Sequence, residues 1–151
     1  MAITRDTISR VSALVGSESN TIANMANISA QLIAEGGWHW VGFYIVDEMS
    51  NELVLGPFQG PVACTRLKPG KGVCSKSWQS DRTIVVGDVH SFEGHVACSE
   101  YSKSEVVIPI RLAGKVVGVL DIDSVDYDGF TDEEVSILEE TVKILESRWG
   151  E

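Results

Sequence analysis

Three cysteines lie close together in this chain. Cys64, Cys74 and Cys98 fall within a window of 35 residues that is also rich in Gly, Ser, His and Lys, a composition that predicts loop and short helix. Taken singly, each is most simply a small buried hydrophobe. An odd number of cysteines, behind an N-terminus without a signal-peptide pattern, argues against a secreted disulfide scaffold. We therefore expect the three to act together, as redox partners or as metal ligands.

Two histidines in the same region keep the metal alternative open. His90, His95 and Cys98 follow the pattern His-x4-His-x2-Cys, and Cys64 or Cys74 would complete a tetrahedral zinc site. This spacing matches no common zinc signature, and each histidine viewed singly is a structural or surface residue. The redox alternative needs a thiolate. Cys74 lies at the predicted start of a short helix, where amide groups and the helix dipole favour that form.

Two acidic residues end an otherwise apolar run near the C-terminus. Asp121 and Asp123 follow the apolar residues 116–120, and their alternation places both on one face of a strand. A neighbouring strand that contains Glu105 can add a third carboxylate. Like charges at short range oppose each other's ionisation, so at least one pKa should rise. Such a cluster can bind an ammonium group and donate a proton to a leaving oxygen. The alternative is a strand end that emerges into solvent.

The elements that must position these groups follow from the hydrophobic pattern. Apolar spacings of three and four predict helices over residues 4–15, 21–35, 73–79 and from 131 onward. Alternating and β-branched runs predict strands over residues 38–46, 52–56, 62–67, 83–86, 104–111 and 116–123. Pro57 and Pro61 predict irregular chain after the second strand. Residues 87–103 show no strong period, which is typical of a functional loop.

The last two predicted strands form a hairpin. A three-residue loop over 112–114, ending in glycine, places Arg111 opposite Lys115 and Glu105 opposite Asp121. The face toward the helices then carries Val106, Ile108, Ile110, Val116, Leu120 and Ile122. The other face carries Glu105, Val107, Val117, Val119, Asp121 and Asp123. A two-residue turn would move Glu105 to the opposite face.

Composition excludes several classes of protein. The 151 residues carry 12 Lys and Arg against 22 Asp and Glu, a net charge of −10, whereas nucleic-acid binding needs clustered positive charge. No apolar run approaches the ~18 residues of a membrane span. We expect one α+β domain over residues 1–151, located in the cytoplasm. Its antiparallel sheet of about six strands should pack the N- and C-terminal helices on one face.

Several segments resemble one known family. They are Trp40-Val41-Gly42-Phe43-Tyr44, Leu55-Gly56-Pro57-Phe58-Gln59-Gly60, Ala63-Cys64, Gly70-Lys71-Gly72-Val73-Cys74, Asp88-Val89-His90, Gly94-His95-Val96-Ala97-Cys98, Ser104-Glu105 and Gly118-Val119-Leu120-Asp121-Ile122-Asp123-Ser124. Together they are similar to the free methionine-(R)-sulfoxide reductases, which are stand-alone GAF-domain enzymes. The similarity runs from about residue 38 to the final helix.

The resemblance implies a role for each candidate residue. Cys98 would be the nucleophile and Cys64 the main resolving cysteine, with Cys74 an alternative. Three substrate-binding carboxylates and one aromatic pocket wall are implied, namely Glu105, Asp121, Asp123 and Trp40. The substrate would be free methionine sulfoxide, with thioredoxin or a similar dithiol as reductant and no cofactor or metal. A homodimer is compatible with the sequence. The rival functions are a non-catalytic small-molecule sensor and the zinc site.

Overall fold

The structure of the chain is a computed structural model that describes residues 2–96 and 101–150. The described residues form four α-helices, one 3₁₀ turn (Val89–Ser91) and six strands. The helices are α1 (Arg5–Val15), α2 (Thr21–Gly36), α3 (Gly72–Ser80) and α4 (Asp132–Ser147). The strands are β1 (Trp40–Asp47), β2 (Glu52–Gln59), β3 (Arg66–Leu67), β4 (Ile84–Val86), β5 (Ser104–Leu112) and β6 (Lys115–Ser124).

The six strands form one antiparallel sheet in the order β3-β2-β1-β6-β5-β4. Apolar side chains of α1, α2 and α4 bury one face of this sheet and form the larger core. The shorter helix α3 packs on the other face, where a second apolar cluster lies. The α+β prediction, with about six strands and the terminal helices on one face, is confirmed. Within the described residues, no helix is long and apolar enough to cross a bilayer.

The helix ends follow the capping residues in the sequence. Thr131 and Glu134 form a capping box at the start of α4, with the Glu134 amide donating to the Thr131 hydroxyl at 3.1 Å. Gly37 ends α2 in the left-handed conformation, with a φ of 68°. The start of α4 and both ends of α2 therefore lie within a residue or two of the predicted positions.

The hairpin between β5 and β6 differs from the prediction in its turn. Ala113 and Gly114 both have positive φ, 52° and 78°, and form a two-residue turn in place of the expected three-residue loop. Arg111 consequently pairs with Val116. The register then shifts by one residue because Val117 has no partner, which is a β-bulge.

The bulge returns Glu105 to the face of the sheet that carries Asp121 and Asp123. Glu105 pairs with Asp123, and Asp121 pairs with Val107, so the predicted pairing of Glu105 with Asp121 is wrong by two residues. A shift of two keeps side chains on the same face, whereas the two-residue turn alone would have reversed them. The bulge also reverses the side chain of Val117, which packs against the helical core although the prediction placed it on the acidic face.

Strand β2 also departs from the prediction. It continues through Pro57 to Gln59, because the pairing with β1 skips residues between Leu55 and Phe58 and the proline lies in this irregularity. In contrast, the strand predicted over residues 62–67 is reduced to Arg66–Leu67. Residues 60–65 between β2 and β3 are irregular, and residues 61–63 line a cavity on the sheet face that carries α3.

Candidate functional site

A cavity opens on the face of the sheet that carries α3. It encloses ≈ 580 Å³, its solvent-open mouth included. Its floor is formed by β1, β6 and β5, and its sides by the start of α3 and by residues 61–63 and 95–96. The lining side chains include Trp40, Tyr44, Val62, Cys74, His95, Glu105, Asp121 and Asp123. Five of the predicted site residues thus share one cavity.

Strand register brings the three carboxyls together. Asp123 lies between Trp40 of β1 and Glu105 of β5, in one row across three strands. Asp121, two residues earlier on β6, projects from the same face. Glu105 and Asp121 are each only 6% exposed, whereas Asp123 is partly exposed. The alternative of a strand end that emerges into solvent is therefore wrong for Asp121.

Burial governs the protonation of this cluster. It raises the pKa of all three carboxyls, and the charge of Asp121 adds to the rise at Glu105 and Asp123, whose pKa values lie well above their usual range. Hydrogen bonding to Glu105 and Cys74 opposes the rise in the pKa of Asp121. Glu105 and Asp123 are therefore suited to hold protons, and Asp121 to carry the negative charge. The predicted rise of at least one pKa is confirmed.

Cys74 faces the acids from the first turn of α3. Its thiol is buried, and its Sγ lies within 4.8 Å of carboxylate oxygens of Glu105 and Asp121. Burial and the nearby negative charges raise the pKa of Cys74 well above its usual value. The predicted thiolate at the helix start is thus wrong, because desolvation and the acidic neighbours outweigh the helix dipole.

Stacked aromatic rings of β1 and β2 form another wall of the cavity. The Trp40 indole stacks on Phe58, with ring centroids 5.2 Å apart, and on Tyr44 at 6.1 Å. Gly42 makes room for this stack, since a Cβ there would lie 2.3 Å from Phe58 and 2.6 Å from the indole. Tyr44 is absent from the sequence-based list of site residues. Strand alternation, which places residues 40, 42 and 44 on one face, could have found it.

The two histidines differ in their surroundings. His95 lines the cavity, with Nε2 3.8 Å from Oε1 of Glu105, and burial lowers the pKa of His95. His90 is exposed and does not line it. Among the described side chains, the group close enough to share one metal ion is Cys74, Glu105 and Asp121, without a histidine. The described part of the predicted His and Cys zinc set is therefore not assembled.

Cys64 and Cys98 complete the set of three predicted redox cysteines. Cys64 precedes β3, packs against the second apolar cluster and is disulfide-bonded, whereas Cys74 is a free thiol. Cys98, the expected nucleophile, lies outside the described residues. The role of each cysteine stays a prediction.

The buried acids make stability depend on pH. Because the folded protein holds the proton of Glu105 above its usual pKa, stability from this group is complete below about pH 4.5 and is lost as pH rises through the higher folded pKa. A Glu105→Gln variant does not titrate. We expect it to melt at a higher temperature than the unmodified protein at pH 8 and at nearly the same temperature at pH 4. Thermal unfolding at both values tests this, and a variant less stable at pH 8 would contradict it.

Comparison with known proteins places this chain in a family. A family model described as GAF domain matches residues 19–146. GAF domain-containing protein A of Dictyostelium discoideum is 46% identical over 138 residues, which cover 91% of this chain and 87% of the relative. Free methionine-R-sulfoxide reductase of Escherichia coli (strain K12) is 42% identical over 135 residues, covering 89% and 81%.

A solved structure gives the same result in three dimensions. Free methionine-R-sulfoxide reductase from Neisseria meningitidis, in complex with its substrate, superposes with a TM-score of 0.94 at 46% sequence identity, over 96% of this chain and 87% of that one. The chain that carries the acidic cavity and the cysteine-bearing segments thus shares its fold with a free methionine-R-sulfoxide reductase of known structure. This chain belongs to the GAF-domain family of free methionine-R-sulfoxide reductases.

Proposed function

We propose that this protein reduces free L-methionine-(R)-S-oxide to methionine. The observation that carries the proposal is the cavity in which buried carboxyls, a thiol and an aromatic wall converge. The family relationship supports it, because the relative from Neisseria meningitidis is described with its substrate. We infer the role of each residue from the contacts and charges of the described residues and from the resemblance to the reductase family.

The acidic cluster recognises the amino group of the substrate. Oδ1 of Asp121 is buried and has no hydrogen-bond partner among the described residues. An unpartnered buried oxygen is costly, and a substrate ammonium would satisfy it. A methionine within a peptide has no ammonium at this place. The cluster therefore favours the free amino acid, while Trp40 packs against the apolar part of the substrate.

The first chemical step oxidises Cys98. Its thiolate attacks the sulfoxide sulfur, and a protonated carboxyl, assigned here to Glu105, donates a proton toward the sulfoxide oxygen. The attack forms a transient bond between Sγ of Cys98 and the sulfoxide sulfur. This bond and the S–O bond then break, the protonated oxygen passes to Sγ of Cys98 as a sulfenic acid, and methionine leaves with the electron pair on its sulfur. The substrate sulfur gains two electrons and the cysteine sulfur loses two, so no other oxidant or reductant enters.

The second step forms a disulfide. The Cys64 thiol attacks the sulfenic sulfur of Cys98, an S–S bond forms and water leaves. The disulfide-bonded state of Cys64 and the free, buried thiol of Cys74 support this assignment over Cys74 as the resolving residue. Thioredoxin or a similar dithiol of the cytoplasm then reopens the disulfide by exchange, as part of the same proposal.

A single-turnover measurement tests the function. Fully reduced protein is mixed with each epimer of free methionine sulfoxide, without external reductant, and methionine and free thiols are counted. We expect one methionine formed and two thiols lost per chain with the R epimer, and neither change with the S epimer. Folded protein that forms no methionine from either epimer would overturn the proposal and favour a sensor.

A further inference from the structure

The irregular segment 61–65 is held onto the sheet by three hydrogen bonds. The Trp40 indole Nε1 donates to the Pro61 carbonyl at 3.0 Å, and the Tyr44 hydroxyl donates to the Cys64 carbonyl at 2.8 Å. The Leu55 amide of β2 donates to the carbonyl of residue 65 at 2.9 Å. These bonds take the place of regular strand pairing, which begins only at Arg66. The position of Cys64 therefore depends on side chains of β1.

The chain also passes closely over β1 just before this segment. Gly60 has a φ of 128°, and a Cβ there would lie 2.7 Å from the Trp40 ring and 2.8 Å from the His39 carbonyl. Only glycine adopts this conformation without strain and allows this approach. The entry to the segment is thus fixed by packing, and its exit by the hydrogen bond from Tyr44.

Tyr44 is suited to hold a fixed position. Its side chain is 2% exposed and stacks on Trp40, and burial beside the acids raises the pKa of Tyr44, so the hydroxyl keeps its proton as a donor. We propose that Tyr44 is a positioning residue for the resolving step: its bond to the Cys64 carbonyl holds that thiol where it meets the sulfenic acid. This inference rests on the proposed function for the identity of the sulfenic acid.

The proposal predicts a specific defect in Tyr44→Phe, which keeps the ring and removes the hydroxyl. Cys64 then samples more positions, so its condensation with the sulfenic acid slows. We expect a slowing of about fivefold to tenfold, the range that the net contribution of one hydrogen bond allows. Tyr127→Phe is the matched control, because Tyr127 is 53% exposed and lies outside the cavity lining.

A trapping experiment measures this step apart from the first. Reduced protein turns over once on methionine sulfoxide in the presence of increasing 1,3-dione reagent, which captures sulfenic acid in competition with Cys64. We expect Tyr44→Phe to need about five to ten times less reagent for half-capture than the unmodified protein, in line with one lost hydrogen bond. A merely structural defect at the substrate site would change the rate of methionine release without changing this partition. Equal half-capture in all three proteins would overturn the proposal.

A second measurement does not depend on the reductase activity. The proteins are equilibrated in glutathione buffers of graded redox ratio, and the disulfide of Cys64 is quantified by peptide mapping. We expect Tyr44→Phe to require a more oxidising buffer for half-oxidation, because its Cys64 is less well placed. An unchanged midpoint of oxidation would contradict a positioning role of Tyr44 for Cys64. Absence of methionine in every protein, with a shifted midpoint, would reject the proposed function and retain the positioning role.

Discussion

Replacing Cys98 by serine is expected to abolish methionine formation even in a single turnover. A serine hydroxyl is a far weaker nucleophile than a thiolate at neutral pH, and it cannot form the sulfenic acid on which the second step depends. We expect the rate of the first turnover to fall by more than about 10³-fold, the scale seen when a nucleophile is removed. The measurement is methionine released by stoichiometric reduced protein, with the R epimer at saturating concentration.

Cys64→Ser separates the nucleophile from the resolving residue. We expect it to release one methionine per chain at the normal rate but to lose one thiol in place of two and to stop after that turnover. Methionine release by Cys98→Ser would show that another thiol attacks the sulfoxide. Full recycling by thioredoxin in Cys64→Ser would transfer the resolving role to Cys74.

Glu105→Gln is expected to slow the first turnover by about 10²- to 10⁴-fold, the usual contribution of a general acid. Glutamine keeps the shape of the side chain but has no acidic proton to donate toward the sulfoxide oxygen. Burial and the charge of Asp121 raise the pKa of Glu105 well above its usual range, so the unmodified protein holds that proton to a higher pH than an exposed glutamate does. The measurement is the single-turnover rate as a function of pH, in which the unmodified protein should slow as the pH rises through the raised pKa of Glu105.

Two controls separate this loss from misfolding. Glu93→Gln makes the same chemical change at an exposed position, and we expect its rate to match that of the unmodified protein. Glu105→Gln should also melt at a higher temperature at pH 8, so its lost activity would accompany a more stable fold. A rate within about threefold of the unmodified protein would leave no room for a general acid at Glu105, since such an acid contributes at least about 10²-fold.

Much of the fold was predictable because local interactions determine it. The capping box at Thr131 and the glycine that ends α2 need only residues three or four positions away, so the helix ends follow directly from the sequence. The alternation of Asp121 and Asp123 likewise places both on one face of a strand, whatever that strand pairs with. Pairing register, in contrast, depends on a turn of two residues and a bulge at Val117, whose combined effect no local pattern specifies.

The sequence by itself determined which groups are present: three cysteines, a pair of acids at a strand end, and the family motifs around them. The tertiary structure decided their protonation and their neighbours. Cys74 lies at a helix start, yet its thiol has a raised pKa, because the fold buries it against Glu105 and Asp121. Similarly, Tyr44 lies near Cys64 only because β1 passes beneath segment 61–65. Desolvation and charge proximity arise from packing between residues distant in sequence, and a linear pattern does not contain them.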